Sequence, residues 1–260
     1  MNRLQNFKAQ AIIFDKDGTL IDFHAMWGSW VVYLADQLTQ ASQTNIREHI
    51  YQAMGYDAKT KKVLAYGKVA TRPMAELYQL TIEILKSLNI KNAEQVVENN
   101  WVVPDPVLLA KPLTDLDVLF SKLQRHNIKI AIATADDYAP TLATLQAFDI
   151  EDYISAFICA DENIASKPAP DMVLELCNRL SLSPTEVIVI GDTVADLQMA
   201  KAAGAGLCIG VLSGVSSHKD LTPYADVILE SIEELHLYLQ ETYEQSSPQN
   251  KTDFNPDFAY

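Results

Sequence analysis

Ala11-Ile12-Ile13-Phe14-Asp15-Lys16-Asp17-Gly18-Thr19-Leu20 is the stretch on which the fold turns. Four consecutive apolar residues without polar alternation read as a strand covered on both faces, as in a parallel sheet. The run ends on two carboxylates two positions apart. Isolated charge beside a core is costly unless a metal, a partner or a proton accompanies it. Carboxylate oxygens suit a hard cation such as Mg2+. One such carboxylate can act as a nucleophile and another can move a proton. Asp-Gly-Thr is also ordinary turn chemistry, so a plain capped turn fits the same residues.

Similar apolar runs recur at 128–133, 156–160, 187–190, 206–211 and 225–229. Helical patterns alternate with them over 115–126, 140–148, 170–180 and 195–203. Pro170-Asp171 opens one of these helices and Gly204 closes another, matching helix start and stop signals. Strand and helix in alternation predict an α/β fold, a doubly wound, Rossmann-like parallel sheet. Residues 22–111 interrupt the alternation with helical patterns near 26–40, 46–54, 72–88 and 93–101. They read as a helical cap domain inserted into a core made of 1–21 and 112–242. Pro104, Pro106 and Pro112 punctuate the return to the core. Residues 243–260 are polar and aperiodic and read as a tail, mobile or docked as an irregular segment.

The chain has 260 residues, 48% of them hydrophobic, enough for a substantial core. Its formal net charge of -14 argues against nucleic acid or an anionic membrane as the main partner. An anionic substrate remains compatible, because a metal and a few local cations can reverse the field within a cleft. Cys159, Cys177 and Cys208 are odd in number and form no C-x-x-C pair, which fits reduced thiols and a cytoplasmic setting. No secretory h-region and no apolar run of membrane-spanning length is expected. The chain is expected to be a monomer or a homodimer.

In a doubly wound sheet, ligands sit beyond the carboxyl ends of the strands. The first strand ends at Asp15 and Asp17, and the second at Thr134. Ser166-Lys167-Pro168-Ala169-Pro170 follows the third, and Gly191-Asp192-Thr193-Val194-Ala195-Asp196 follows the fourth. Each has an innocent reading. Thr134 could cap a helix, Lys167 could be a solvated cation, and Asp192 and Asp196 could be an N-cap and an exposed helical residue. Four coincidences at successive strand ends are harder to explain that way.

The pattern D-x-D-G-T-L, then a strand-terminal Thr, then K-P-x-P, then G-D-x-x-x-D resembles the haloacid dehalogenase (HAD) superfamily, from Ala11 to about Gly206. The helical insertion resembles the C1-type cap of its phosphoglycolate-phosphatase-like members. The resemblance implies that Asp15 is a nucleophile that becomes an aspartyl phosphate. It implies that Asp17 is the general acid and base, that Thr134 holds a phosphoryl oxygen, and that Lys167 contacts nucleophile and phosphoryl group. Mg2+ would be held by Asp15, Asp192, Asp196 and the backbone carbonyl of Asp17. Backbone around Gly18, Thr19 and Ala135 could bind phosphoryl oxygens. Asp17 also separates phosphatases from the family's dehalogenases, which lack a carboxylate there because a departing halide needs no proton.

The expected function is therefore a Mg2+-dependent phosphatase acting on a small phosphorylated metabolite, phosphoglycolate-like or a sugar phosphate. Its rivals are a phosphomutase of the same superfamily and a catalytically silent binding protein. Departures from the common pattern include Ser166 before the lysine, Thr193 after Asp192, and Asp136-Asp137 after Thr134. That acidic pair could be helix N-terminal residues, or could discourage a second anionic group on the substrate. In the cap, Lys68 and Arg72 are candidate substrate contacts, as are His24, Trp27 and Trp30. The cluster Lys59, Lys61, Lys62, Lys68 and Arg72 reads equally as a substrate-facing patch or a solvated face. The tryptophan pair, three apart, also fits the interior of the cap.

Overall fold

The computed structural model describes residues 2–72, 74–239 and 242; the expected tail at 243–260 lies outside them. In chain order the strands are β1 (Ala11–Phe14), a small hairpin of β2 (Tyr56–Asp57) and β3 (Lys62–Val63), β4 (Lys129–Ala133), β5 (Ile154–Ile158), β6 (Val187–Gly191), β7 (Leu207–Val211) and β8 (Val227–Leu229). All but the hairpin join one six-stranded sheet in the order β5-β4-β1-β6-β7-β8. Every pairing in it is parallel. The chain starts in the middle, winds outward to β5, then returns past β1 to build the other half. That reversal leaves a crevice at the carboxyl ends of β4, β1 and β6, where a doubly wound sheet binds its ligands.

Period-2 geometry explains how β1 is buried on both faces. Ile12 and Phe14 pack with Leu119, Phe120 and Leu123 of α5 (Leu116–Arg125) on one side. Ala11 and Ile13 face the other side, with residues of α7 (Asp171–Leu180) and α8 (Val194–Ala203). Each fully buried large apolar side chain contributes about 1.5–3 kcal/mol. A further core helix, α6 (Tyr138–Ala147), follows β4. Asp115 caps α5 by accepting from Val118 N at 3.1 Å.

Between Asp22 and Lys111 the chain builds α1 (Ser29–Ser42), α2 (Arg47–Met54), α3 (Met74–Ser87) and α4 (Ala93–Asn100) around their own apolar cluster. Trp30 is buried there, edge-on to Trp101, and its indole N–H donates to Val102 O at 2.6 Å. Entry and exit run side by side: Asp22 N donates to Lys111 O at 2.8 Å and Leu113 N to Leu20 O at 2.9 Å.

Two elements differ from the sequence reading. The third strand of the sheet is Ile154–Ile158 rather than 156–160, because β5 lies at the sheet edge and its half-exposed residues carry no fully apolar run. Instead of one helix over 72–88, a short helix at Lys68–Thr71 precedes α3.

Candidate active site

A cleft of about 720 Å³ lies between the helical insertion and the carboxyl ends of the strands, and its lining includes Asp15, Asp17, Thr134, Ala135, Lys167, Asp192 and Asp196. The end of β1 delivers Asp15 and Asp17, β4 delivers Thr134, and β6 with the first turn of α8 delivers Asp192 and Asp196. Lys167 reaches in from the loop before α7. Its Nζ bridges Asp15 Oδ1 at 2.5 Å and Asp196 Oδ1 at 2.6 Å. Thr134 Oγ1 accepts from Asp136 N at 3.1 Å.

The innocent reading of the fourth strand end does not hold. Thr193, not Asp192, caps α8, and Asp196 is buried rather than exposed. Thr193 N and Oγ1 both donate to Asp196 Oδ2, at 3.0 and 2.6 Å, which fixes that carboxylate's orientation. Asp192 is equally buried, and Val215 N donates to its Oδ2 at 2.8 Å. Oxygens of Asp15, Asp192 and Asp196 lie within 4.8 Å of one another.

Glycines allow this crowding. At Gly18, where φ is +90°, a Cβ would lie 2.6 Å from Asp192 Oδ2, and at Gly214 one would lie 1.9 Å from it. No side chain fits at either place.

The electrostatics of the cluster follow from burial. Burial pushes the Asp15 carboxyl up to about 7; Lys167 opposes the shift, while Asp196 and Asp17 add to it. Burial likewise holds Asp192 well above the carboxylate range, with Asp15 and Asp196 adding. Burial alone would lower Lys167, but the facing Asp15 and Asp196 overcome it and hold the ammonium charged. Three buried carboxylates with one lysine among them lack positive charge, and Asp192 Oδ1 is buried with no hydrogen-bond partner among the described residues. An oxygen-only donor set of this kind fits a hard divalent cation.

The remaining sequence candidates fall in different places. Gly18 lies against Asp192, and Thr19 is fully buried beneath the turn. Their amides are already engaged, Gly18 N with Ile21 O at 2.7 Å and Thr19 N with Lys16 O at 3.4 Å. Ala135 is exposed and lines the cleft. Arg72 lines it too, pairing with Glu76 at 3.1 Å. Lys68 borders a separate shallow groove on the insertion, and Lys59, Lys61 and Lys62 are exposed about the hairpin. Trp27 lines the cleft with Phe23, Val69 and Met74, whereas Trp30 is interior.

His24 is absent from that lining and bridges instead. Its Nδ1 accepts from Val63 N at 3.2 Å, so Nε2 carries the proton toward Gly214 O, also at 3.2 Å. Sequence reasoning passed over Lys16, Asp220 and Val215. Only the lysine carried a signal, a cation set between two acids at the end of a buried strand.

The family model for haloacid dehalogenase-like hydrolases matches residues 9–204. This chain is a haloacid dehalogenase-like hydrolase. Among similar relatives of this HAD-like hydrolase is a phosphorylated carbohydrates phosphatase from Thermotoga maritima, 27% identical over 89% of this chain and 99% of that protein. A phosphoglycolate phosphatase from Shigella boydii is 26% identical over 90% of this chain and 93% of its own length. The crystal structure of a HAD-superfamily hydrolase, subfamily IA, from Geobacter sulfurreducens superposes with a TM-score of 0.63 at 15% identity, covering 90% of this chain and 99% of that one. No helix among the described residues of the HAD-like hydrolase is long and apolar enough to cross a membrane.

Proposed function

We propose that this HAD-like hydrolase is a Mg2+-dependent phosphatase of small phosphomonoesters that works through an aspartyl phosphate on Asp15. The observation that carries the reading is the convergence of Asp15, Lys167, Asp192 and Asp196, with the carboxylate of Asp17, in one cleft. Asp15, Asp192, Asp196 and the Asp17 carbonyl would hold the metal, which when bound neutralises charge between nucleophile and phosphoryl group.

Asp15 Oδ attacks phosphorus, the ester P–O bond breaks, and Asp17 gives its proton to the departing alkoxide. Water then attacks phosphorus, Asp17 takes that water's proton, and the bond to Asp15 breaks. Lys167 favours the ionised form of Asp15 and faces the equatorial oxygens. The Thr134 hydroxyl donates to one of them. Residues 22–111 act as the cap that excludes water and reads the leaving group.

On the leaving-group side the cleft offers Phe23, Trp27, Val69 and Met74, with Asp137 and Asp220 and a single arginine, Arg72. That balance favours a neutral, hydroxylated leaving group such as a sugar over a carboxylate such as that of phosphoglycolate. The test is phosphate release from a panel of phosphomonoesters, with Mg2+ and with EDTA, for wild type and Asp15→Asn. Metal-dependent turnover lost in Asp15→Asn is the expected result. No release from any ester by folded, Mg2+-supplied protein overturns it and favours a mutase or a binding protein.

A further inference from the structure

Lys16 is 1% exposed, as buried as the strand before it. A lysine is almost never buried without partners, and this one has two. Its Nζ lies 2.7 Å from Asp17 Oδ2 and 3.1 Å from Asp136 Oδ2. Asp136 is itself held fast. Its Oδ1 accepts from Asp137 N at 3.1 Å, its amide donates to Thr134 Oγ1 at 3.1 Å, and its carbonyl accepts from Ala160 N at 2.9 Å. The two oxygens of Asp17 therefore differ. Oδ2 is gripped by a buried ammonium, while Oδ1 is buried and has no hydrogen-bond partner among the described residues.

A carboxyl group turns readily about its last torsion, which is broad and roughly two-fold. A group that must deliver a proton along one direction gains from having one oxygen fixed, since a misplacement of about 1 Å can cost about 10²-fold in rate. A buried ammonium anchored on its far side does this without entering the cleft, and Lys16 is not among the cleft-lining residues.

We propose that Lys16, anchored by Asp136, is a positioning residue for Asp17: it clamps Oδ2 and so holds the carboxyl in one orientation for the proton exchange with the leaving group. The inference rests on the reading of Asp17 as proton donor. It also assigns Asp136 a task distinct from either helix capping or substrate repulsion.

The experiment compares kcat/KM for an alkyl ester, propyl phosphate, with that for 4-nitrophenyl phosphate, in wild type and Lys16→Met. A departing alkoxide needs a proton and 4-nitrophenolate does not. Because kcat/KM runs only through the first P–O cleavage, later hydrolysis of the aspartyl phosphate does not enter. Lys16→Met is expected to lower the alkyl-to-aryl ratio about 10- to 100-fold, a partial loss of the roughly 10²- to 10⁴-fold that general acid catalysis contributes. Asp136→Ala leaves Lys16 in place and removes only its anchor, and is expected to shift the ratio the same way by a smaller factor. It provides the reading if Lys16→Met does not fold.

A variant that loses both activities equally, with the ratio intact, shows a merely structural lysine and overturns the inference, as does an unchanged ratio at full activity. Wild type that releases phosphate from neither ester overturns the phosphatase reading, and the clamp with it.

Discussion

Replacing Asp192 by Asn should stabilise the metal-free protein while abolishing its response to Mg2+. Asp192 sits with Asp15 and Asp196, their oxygens within 4.8 Å of one another. At an effective dielectric constant of about 20, each such pair repels by about 3.5 kcal/mol. Two pairs give about 7 kcal/mol, of which attraction to Lys167 offsets roughly half. The amide keeps an acceptor for Val215 N and removes the charge, so a gain of about 3 kcal/mol is expected without divalent cations wherever Asp192 is ionised in the wild type. For a chain of this size that is roughly 6–12 °C in melting temperature.

The sign fixes the pH dependence. The folded-state pKa of Asp192 lies above its ordinary value of 3.8, so wild-type apo stability is fullest below that value and falls as pH rises through the raised one. Asp15, raised to about 7, adds a fall of the same sign between about pH 4 and 7 in both proteins. The advantage of Asp192→Asn should therefore be larger at pH 8 than at pH 5. Thermal melts at both values, with EDTA and then with a Mg2+ titration, give the answer. Wild type should gain stability with Mg2+ at pH 8 and the variant should not. A variant that melts below wild type at pH 8 in EDTA would refute the picture of like charges held together by the fold.

Gly18→Ala places a methyl 2.6 Å from Asp192 Oδ2 at a left-handed φ, so the Mg2+ concentration for half-maximal activity should rise about 10-fold or more. Burial lowers the pKa of His24, so its bridge between Val63 and Gly214 is present above its unfolded value near 6.5 and lost as pH falls. Limited proteolysis of the 56–63 hairpin should accelerate toward pH 5 in wild type and be fast at every pH in His24→Ala. Phosphoglycolate should show kcat/KM about 10-fold or more below a sugar phosphate, and Asp220→Asn should narrow the gap.

The sheet was legible because its strands are buried on both faces: the uninterrupted runs at 11–14 and 187–190 leave few alternatives. The edge strand Ile154–Ile158 was displaced by two residues because a half-exposed strand mixes polar and apolar positions. The helices of the insertion showed in their 3.6-residue pattern, but the two-residue strands of the hairpin are too short to carry a period. For the candidate site, strand order did what spacing cannot, setting Asp15 beside Lys167 across 152 residues. Lys68 and Arg72 were indistinguishable as a basic pair, yet only Arg72 faces the cleft. The partners of His24 are 39 and 190 residues away, and no local pattern announces them. Lys16 and Asp136 were each visible as oddities, and their pairing was not.

The zipped entry and exit of the insertion bear on how such a molecule could be rebuilt. Ile21 bridges to Asp17 on one side and to Pro112 on the other, so both crossings pass one narrow point that belongs to the turn after β1. Whatever is spliced between Ile21 and Pro112 need only present two chain ends one ladder rung apart. The sheet beneath would be indifferent to the size and shape of the graft. The junction works as a socket: on the proposed function, insertions of other geometry exchanged there would change what is recognised and leave the carboxylates at the end of β1 in place.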